Sequence, residues 1–207
     1  MSPKEKAEKI RLILEDLYPE VPIPLDHKDA YTLLVAMILS AQCSDIRVNK
    51  ITPALFEKAD NPYDMVKLGA QKIKDIIHPC GLSSTKSQSI WKLSQVLINK
   101  YEGKIPNTLE NLESLPGVGH KTSSAMMIHI FKKPAFPVDT HIHRLAKRWG
   151  LSNGKNVKKT EADLKKVFPK KLWSKLHLQI VYFGREQCPA KKHDPQKCPI
   201  CSWASDQ

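Results

Sequence analysis

Two short motifs contain residues that together could perform nucleophilic chemistry. Lys121 lies in the segment LPGVGHKT (115–122), and Asp139 begins the segment DTHIHR (139–144), 18 residues after the lysine. A neutral lysine amine can attack an electrophilic carbon and form a Schiff base. A carboxylate beside it could help to deprotonate the amine and could stabilise positive charge on the reacting carbon. The pair therefore indicates chemistry in which an amine is the nucleophile.

This chemistry sets a requirement on the surroundings of Lys121. Its amine must be neutral, whereas an ordinary lysine has a pKa of about 10.4. The positive end of a helix and partial burial both disfavour the ammonium form, so a lysine at the start of a helix, where we expect Lys121, is a plausible place for a lowered pKa. The alternative is that Lys121 is simply one of 33 basic residues on a solvated face. For Asp139 the alternative is a plain helix N-cap, a role that we expect it to have in any case.

The Pro-Gly-x-Gly turn before Lys121 is typical of a phosphate-binding device. Gly117 and Gly119 can adopt backbone angles closed to other residues and would let a phosphate approach closely. Amides at a helix start point outward at the positive end of the helix dipole, and such a device reads the nucleic-acid backbone. A lone turn of this kind could also be a tight interhelical connection. Its flanking residues complete a helix-hairpin-helix pattern, with one helix ending near Ser114 and the next starting near His120. With Lys121, this pattern indicates an enzyme that holds DNA and attacks a sugar carbon.

The elements that must position these residues are all predicted to be helical. Neither a hairpin signal nor sustained alternation is present, so we predict an all-α fold. One further helix is expected from Thr160 to Val167, starting at Thr160. Two apolar stripes recur at helical spacing, one at Ile10, Ile13, Leu14 and Leu17 and the other at Ile90, Leu93, Leu97 and Tyr101.

Two proline-rich segments, 21–24 and 132–137, divide the chain. They predict a helical bundle domain over residues 21–133 that includes the helix-hairpin-helix. A second helical domain would join residues 1–20 to residues 134–207 and carry a cysteine-containing C-terminal loop. We expect the two domains to flank a DNA-binding cleft.

The composition favours an acidic partner. Lys and Arg number 33 against 21 Asp and Glu, which gives a net charge of +12 and a pI near 9.5. Nucleic acid is the commonest partner of such a chain, although a merely basic soluble protein would share the excess. No signal-peptide pattern opens the sequence, and the longest apolar stretch, residues 33–39, is far shorter than the roughly 18 residues of a membrane span. We therefore expect a cytoplasmic, nucleoid-associated monomer with no membrane partner.

Several motifs, in this order, resemble those of endonuclease III, the helix-hairpin-helix DNA glycosylase and AP lyase of base excision repair. Besides LPGVGHKT and VDTHIHRLAKR, the matching segments are LSAQCSD (39–45), VNK (48–50), GLSSTK (81–86), GKNV (154–157) and YFGREQC (182–188). The resemblance covers nearly the whole chain. It implies removal of oxidised pyrimidines, such as thymine glycol, from double-stranded DNA. It also implies β-elimination at the resulting abasic site through a lysine Schiff base.

The resemblance also implies roles for individual residues. Lys121 falls on the nucleophile and Asp139 on the catalytic aspartate, while Gln42 and Leu82 fall on residues that fill and wedge the gap left by a flipped nucleotide. Gln42 could instead be a polar residue at a helix end, and Leu82 a core residue. A sister branch that removes adenine opposite oxidised guanine lacks the lysine. Two other functions remain open, a non-catalytic helix-hairpin-helix DNA-binding module and a monofunctional glycosylase that uses activated water.

The C-terminal cysteines depart from the family pattern. The resemblance implies a [4Fe-4S] cluster held by four cysteines with six, two and five residues between them. Here nine residues separate Cys188 from Cys198, two separate Cys198 from Cys201, and the fourth position is Gln207. The cluster could use His193 as its fourth ligand, the same four residues could bind zinc tetrahedrally, or the site could bind no metal.

Two lysines next to His193 give this loop a basic rim. The resemblance implies that the loop contacts the DNA backbone, and we expect Lys191 and Lys192 to bind phosphates there.

Overall fold

The structure, a computed structural model, describes residues 1–204, and these residues contain helices but no strand. The prediction of an all-α fold is thereby confirmed. Gln207, the position of the missing fourth cysteine, lies outside the described residues. Two short 3-10 helices cover His78–Cys80 and Lys170–Leu172. The α-helices are α1 (Pro3–Leu17), α2 (Ala30–Leu39), α3 (Asp45–Phe56), α4 (Pro62–Leu68), α5 (Ala70–Ile77), α6 (Ser83–Tyr101), α7 (Leu109–Glu113), α8 (His120–His129), α9 (Thr140–Arg148), α10 (Val157–Val167), α11 (Trp173–Glu186) and α12 (Cys201–Ala204).

The chain divides into two compact units. We call Ile23–Phe131 the continuous unit. The discontinuous unit combines Met1–Pro22 with the chain from Lys132 onward.

The continuous unit is built around α2 and α6. The ten residues of α2 are apolar on nearly every side, and most are buried, as expected of a helix surrounded by others. Its start is fixed by Asp29, whose side chain accepts the amide of Thr32 at 2.8 Å. The long helix α6 packs on α4 and α5, while α8 packs on α2 and α7. The second helix of the helix-hairpin-helix, α8, therefore packs on a buried helix of this unit.

The discontinuous unit has its own hydrophobic core, supplied by α1, α9, α10 and α11. Trp149 is fully buried and meets Phe183 edge to face, with ring centroids 5.7 Å apart. Cys188, Cys198 and Cys201 belong to the same buried cluster. The C-terminal cysteine loop is therefore part of the core of this unit.

Helix α10 begins earlier than the sequence pattern predicted. It starts at Val157, and the side chain of its N-cap, Asn156, accepts the amide of Lys159 at 2.8 Å. Thr160 is buried inside the helix, where its hydroxyl donates to the carbonyl of Asn156 at 3.2 Å. The predicted start at Thr160 is wrong because Asn156, a strong N-cap residue, caps the helix one turn earlier.

No helix within residues 1–204 is long and apolar enough to cross a membrane.

Candidate active site and metal centre

The turn between α7 and α8 needs glycine at one of its two glycine positions. Gly117 has a φ of 80°, and a Cβ atom there would lie 2.7 Å from the Cβ of Ser89. Gly119 has an ordinary extended backbone, with φ −98° and ψ 177°, so the expectation of an unusual conformation is wrong for this residue. It is the N-cap of α8 and supplies no side-chain cap, and a Cβ there would meet nothing within 4 Å. The start of α8 is therefore uncrowded and open to an approaching anion.

Lys121 is the second residue of α8 and is exposed. The expected helix start is confirmed, and the side chain is not partly buried in the protein without DNA. Glu113 fixes the helix around it, because its Oε1 lies 2.7 Å from His120 Nδ1 and accepts the Ser123 hydroxyl at 3.1 Å. Helix α8 is buried from Ser123 to its last residue, His129. Lys121 therefore projects to the surface from a well-anchored helix.

Asp139 is the N-cap of α9, in the discontinuous unit, and is half-buried. Its Oδ1 accepts the amide of Ile142 at 2.8 Å. Ile142, Leu145 and Ala146 bury the inner face of α9 in the core. The capping role expected from the sequence is present, and it fixes the carboxylate at the helix start.

Gln42 and Leu82 share an unusual backbone conformation in the continuous unit. Both lie in the left-handed region, with φ of 54° and 49°, and both are exposed. Leu82 exposes 54% of its surface, which excludes the alternative that it is a core residue. A non-glycine residue in this region costs on the order of 1–2 kcal/mol and persists only when its surroundings hold it there.

A buried lysine links the segments that carry these two residues. Lys86, on α6, is only 4% exposed, and its Nζ donates to the carbonyls of Leu39 at 2.8 Å and Cys80 at 2.9 Å. Burial lowers the pKa of Lys86. Leu39 comes three residues before Gln42, and Cys80 comes two before Leu82. We call this pair of bonds the Lys86 bridge. Sequence reasoning missed it, because the only signal was the place of Lys86 in the GLSSTK motif.

Four side chains of the C-terminal loop converge in the discontinuous unit. The ligand atoms of Cys188, His193, Cys198 and Cys201 all lie within 4.8 Å of one another. Cys188 Sγ is 3.5 Å from His193 Nε2 and 3.7 Å from Cys201 Sγ. The three cysteines are buried and His193 is half-buried. We call this set the Cys3His cluster; it could bind a metal. Lys191 and Lys192, just before His193, are exposed.

Two arginines of α9 attach the start of the loop to the helix. Arg148 Nη1 donates to Cys188 Sγ at 3.1 Å and to the carbonyl of Pro189 at 2.9 Å. Arg144 Nη2 donates to the carbonyls of Gly184 at 2.8 Å and Cys188 at 2.9 Å. Hydrogen bonds from Cys201 and Arg148 lower the pKa of the Cys188 thiol. Sequence reasoning missed both arginines.

The Cys3His cluster does not have the dimensions of a four-iron cluster. In a cubane each thiolate binds a different iron, so the cysteine sulfurs stand farther apart than the ligands of a single ion. The four donor atoms here lie within 4.8 Å. As arranged, these residues are too close together for a cubane. We therefore assign no catalytic step to an iron–sulfur cluster.

Comparisons with known proteins agree with the helical fold and the hairpin. Residues 35–170 match the family model described as HhH-GPD superfamily base excision DNA repair protein. Curated relatives include Endonuclease III of Synechocystis sp., 38% identical over 97% of this chain and 89% of the relative, and Endonuclease III of Bacillus subtilis, 37% identical over 90% and 86%. Among solved structures, a non-covalent endonuclease III–DNA complex matches with a TM-score of 0.90 and 36% identity, covering 96% of this chain and 94% of that one. A trapped endonuclease III–DNA covalent intermediate matches with a TM-score of 0.89 and 36% identity, covering 94% and 93%.

Proposed function

Because the chain belongs to the endonuclease III family, within the HhH-GPD superfamily of base excision DNA repair proteins, we propose that it is a bifunctional DNA glycosylase and AP lyase. It removes oxidised pyrimidines from double-stranded DNA and then cleaves the strand at the abasic site. The observation that carries this proposal is Lys121, an exposed amine at the anchored and uncrowded start of α8.

Lys121 is the nucleophile of the reaction. Its neutral amine attacks the anomeric carbon of the flipped nucleotide, a new C–N bond forms, and the bond to the base breaks. The base leaves with the bonding electrons and takes up a proton. The sugar ring then opens to a Schiff base on Lys121. Loss of a proton from the adjacent carbon expels the 3′ phosphate by β-elimination, and water releases the lysine.

Asp139 assists this reaction electrostatically. Its carboxylate accepts the amine proton and stabilises the positive charge that develops on the sugar. The N-cap bond to Ile142 supports this role, because a group held in one geometry requires little reorganisation during the reaction.

The continuous unit supplies the groups that hold and distort the DNA. Amides around Gly117 and Gly119 bind a phosphate, while Gln42 and Leu82 enter the space that the flipped nucleotide vacates. Flipping a base costs a few kcal/mol, and an inserted side chain replaces part of the lost stacking. The exposure of Leu82 and the left-handed backbone at both wedge residues support this assignment.

The Cys3His cluster binds a metal that stabilises the discontinuous unit, and Lys191 and Lys192 bind the DNA backbone beside it. The family resemblance implies a [4Fe-4S] cluster at this place, but the close spacing of these four residues does not fit that group. Acting on chromosomal DNA, the protein associates with the nucleoid.

Borohydride trapping tests the central step. Wild type, Lys121→Ala and the control Lys72→Ala, which removes an exposed lysine of α5, are each mixed with duplex DNA containing one thymine glycol. We expect a covalent adduct with wild type and Lys72→Ala but not with Lys121→Ala. Base loss without adduct or strand cleavage in wild type would instead identify a monofunctional glycosylase. Binding without base loss on thymine glycol or other oxidised pyrimidines would identify a non-catalytic binding module.

A further inference from the structure

Two separations between donor atoms of the Cys3His cluster correspond to those around a single ion. A tetrahedral zinc ion, with bonds of about 2.3 Å to sulfur and about 2.0–2.1 Å to nitrogen, places its ligand atoms about 3.5 to 3.8 Å apart. The cluster has a sulfur–nitrogen separation of 3.5 Å between Cys188 and His193. Its sulfur–sulfur separation between Cys188 and Cys201 is 3.7 Å. Both values match the edges of a zinc tetrahedron.

The donor types also suit zinc. Three cysteines and one histidine form a common structural zinc set, with the two-residue spacing of Cys198 and Cys201 typical of such sites. A cubane, by contrast, needs four protein ligands on four separate irons, and the fourth cysteine of the family pattern is replaced at position 207.

Two of the three cysteine sulfurs accept hydrogen bonds that would stabilise a thiolate. The amide of Cys201 donates to Cys198 Sγ at 3.4 Å, and the Arg148 guanidinium donates to Cys188 Sγ at 3.1 Å. Cys188 is fully buried, and Cys198 and Cys201 are each 3% exposed. Buried thiolates are costly unless a cation or hydrogen bonds compensate them. One divalent ion at their centre would provide that compensation.

We propose that Cys188, His193, Cys198 and Cys201 bind one zinc ion tetrahedrally, in place of the iron–sulfur cluster of the family. The thiols bind as thiolates and release their remaining protons to solvent. Four protein ligands leave no open coordination position, so the ion is structural and takes no part in the chemistry.

The zinc site stabilises α9 through Arg144 and Arg148. Zinc fixes the loop, and the loop carbonyls of Cys188 and Pro189 hold Arg144 and Arg148 of α9. The same helix begins at Asp139. The ion therefore stabilises the element that presents the catalytic carboxylate, and this consequence rests on the proposed function. The zinc assignment itself does not.

Metal analysis of the full-length protein tests the proposal without reference to activity. Cells are supplied with both iron and zinc, the protein is purified without oxygen, and iron, zinc and acid-labile sulfide are measured together with the visible absorption spectrum. We expect one zinc per chain, no iron or sulfide, and a colourless protein. Iron with sulfide in the preparation, or a protein free of metal, would overturn the proposal.

A ligand variant tests the four-residue set. Relative to wild type, His193→Ala should weaken zinc affinity, measured by competition with a chelator, by more than the roughly 10- to 100-fold that loss of an outer-shell partner costs. Cys43→Ser and His78→Ala, which alter residues of the continuous unit, should leave it unchanged. Cobalt(II) bound to wild type should give the visible spectrum of a tetrahedral thiolate complex. An unchanged affinity in His193→Ala, or an octahedral cobalt spectrum, would contradict the assignment even if cysteine variants fail to fold.

Discussion

The carboxylate of Asp139 has a structural task that the structure shows and a catalytic task that we propose. It caps α9 by accepting the amide of Ile142, and it assists Lys121 in the reaction. A single substitution to alanine would remove both and could not separate them. Asparagine caps helices about as well as aspartate but carries no charge, so it separates the two tasks.

We expect Asp139→Asn to fold and melt like wild type while the single-turnover rate of base removal falls by about 10²–10⁴-fold. Asp139→Ala should lose the same activity and also about 1 kcal/mol of unfolding free energy. Asn61→Ala, which removes the side-chain cap of α4, is the control for cap loss and should lower stability without slowing the reaction. If Asp139→Asn retained full activity, the carboxylate would be only a cap.

The environment of Lys121 could be predicted only in part from the sequence. Its position at a helix start follows from the local sequence of the turn and was predictable. Its burial was not, because burial depends on which groups surround the side chain in three dimensions. Lys121 is exposed in the free protein, and the local sequence does not encode the contacts that decide this exposure.

At the scale of elements, apolar periodicity predicted helices where one face is buried, as in α1 and α6. It did not predict contacts between residues distant in the chain. Lys86 bonds to a carbonyl 47 positions away, and Arg144 to one 44 positions away. No local pattern encodes such a partner. The prediction of unusual backbone angles at Gly119 was wrong for a different reason. A glycine can leave open space at a turn while its backbone angles are ordinary.

The Lys86 bridge should hold Gln42 and Leu82 in their left-handed backbone conformation. Lys86→Met keeps an apolar stem of similar size but leaves the carbonyls of Leu39 and Cys80 without this donor, at a cost of about 1–3 kcal/mol. We expect a lower melting temperature and, beyond that, a several-fold loss of base flipping. Flipping is followed by the fluorescence of 2-aminopurine next to the lesion, with the protein saturating the DNA.

Ser94→Ala is the matched control on the same helix, because Ser94 is buried and hydrogen-bonded to Tyr31 at 2.7 Å. It should lower stability while leaving flipping unchanged. Equal effects of the two variants on flipping would mean that Lys86 contributes only general stability.

At the scale of the whole molecule, a net charge of +12 predicts DNA binding that weakens steeply with salt, since each phosphate contact releases counterions. Only lysines that touch phosphates contribute to that slope. Lys191 and Lys192 are exposed on the loop of the Cys3His cluster, where we propose such contacts. Replacing both by alanine should weaken binding to every duplex sequence and reduce the magnitude of the slope of log affinity against log salt by about 1 to 2.

A second double variant, Lys67→Ala with Lys72→Ala, removes the same charge from exposed positions on α4 and α5. If net charge alone governed binding, the two double variants would lose affinity equally. If Lys191 and Lys192 contact phosphates, only their variant should change the slope, measured by fluorescence anisotropy across a series of salt concentrations. Zinc content is measured in the same samples, because loss of the ion would disorder the loop and imitate the loss of its lysines. An unchanged slope with zinc retained would place the loop away from the DNA.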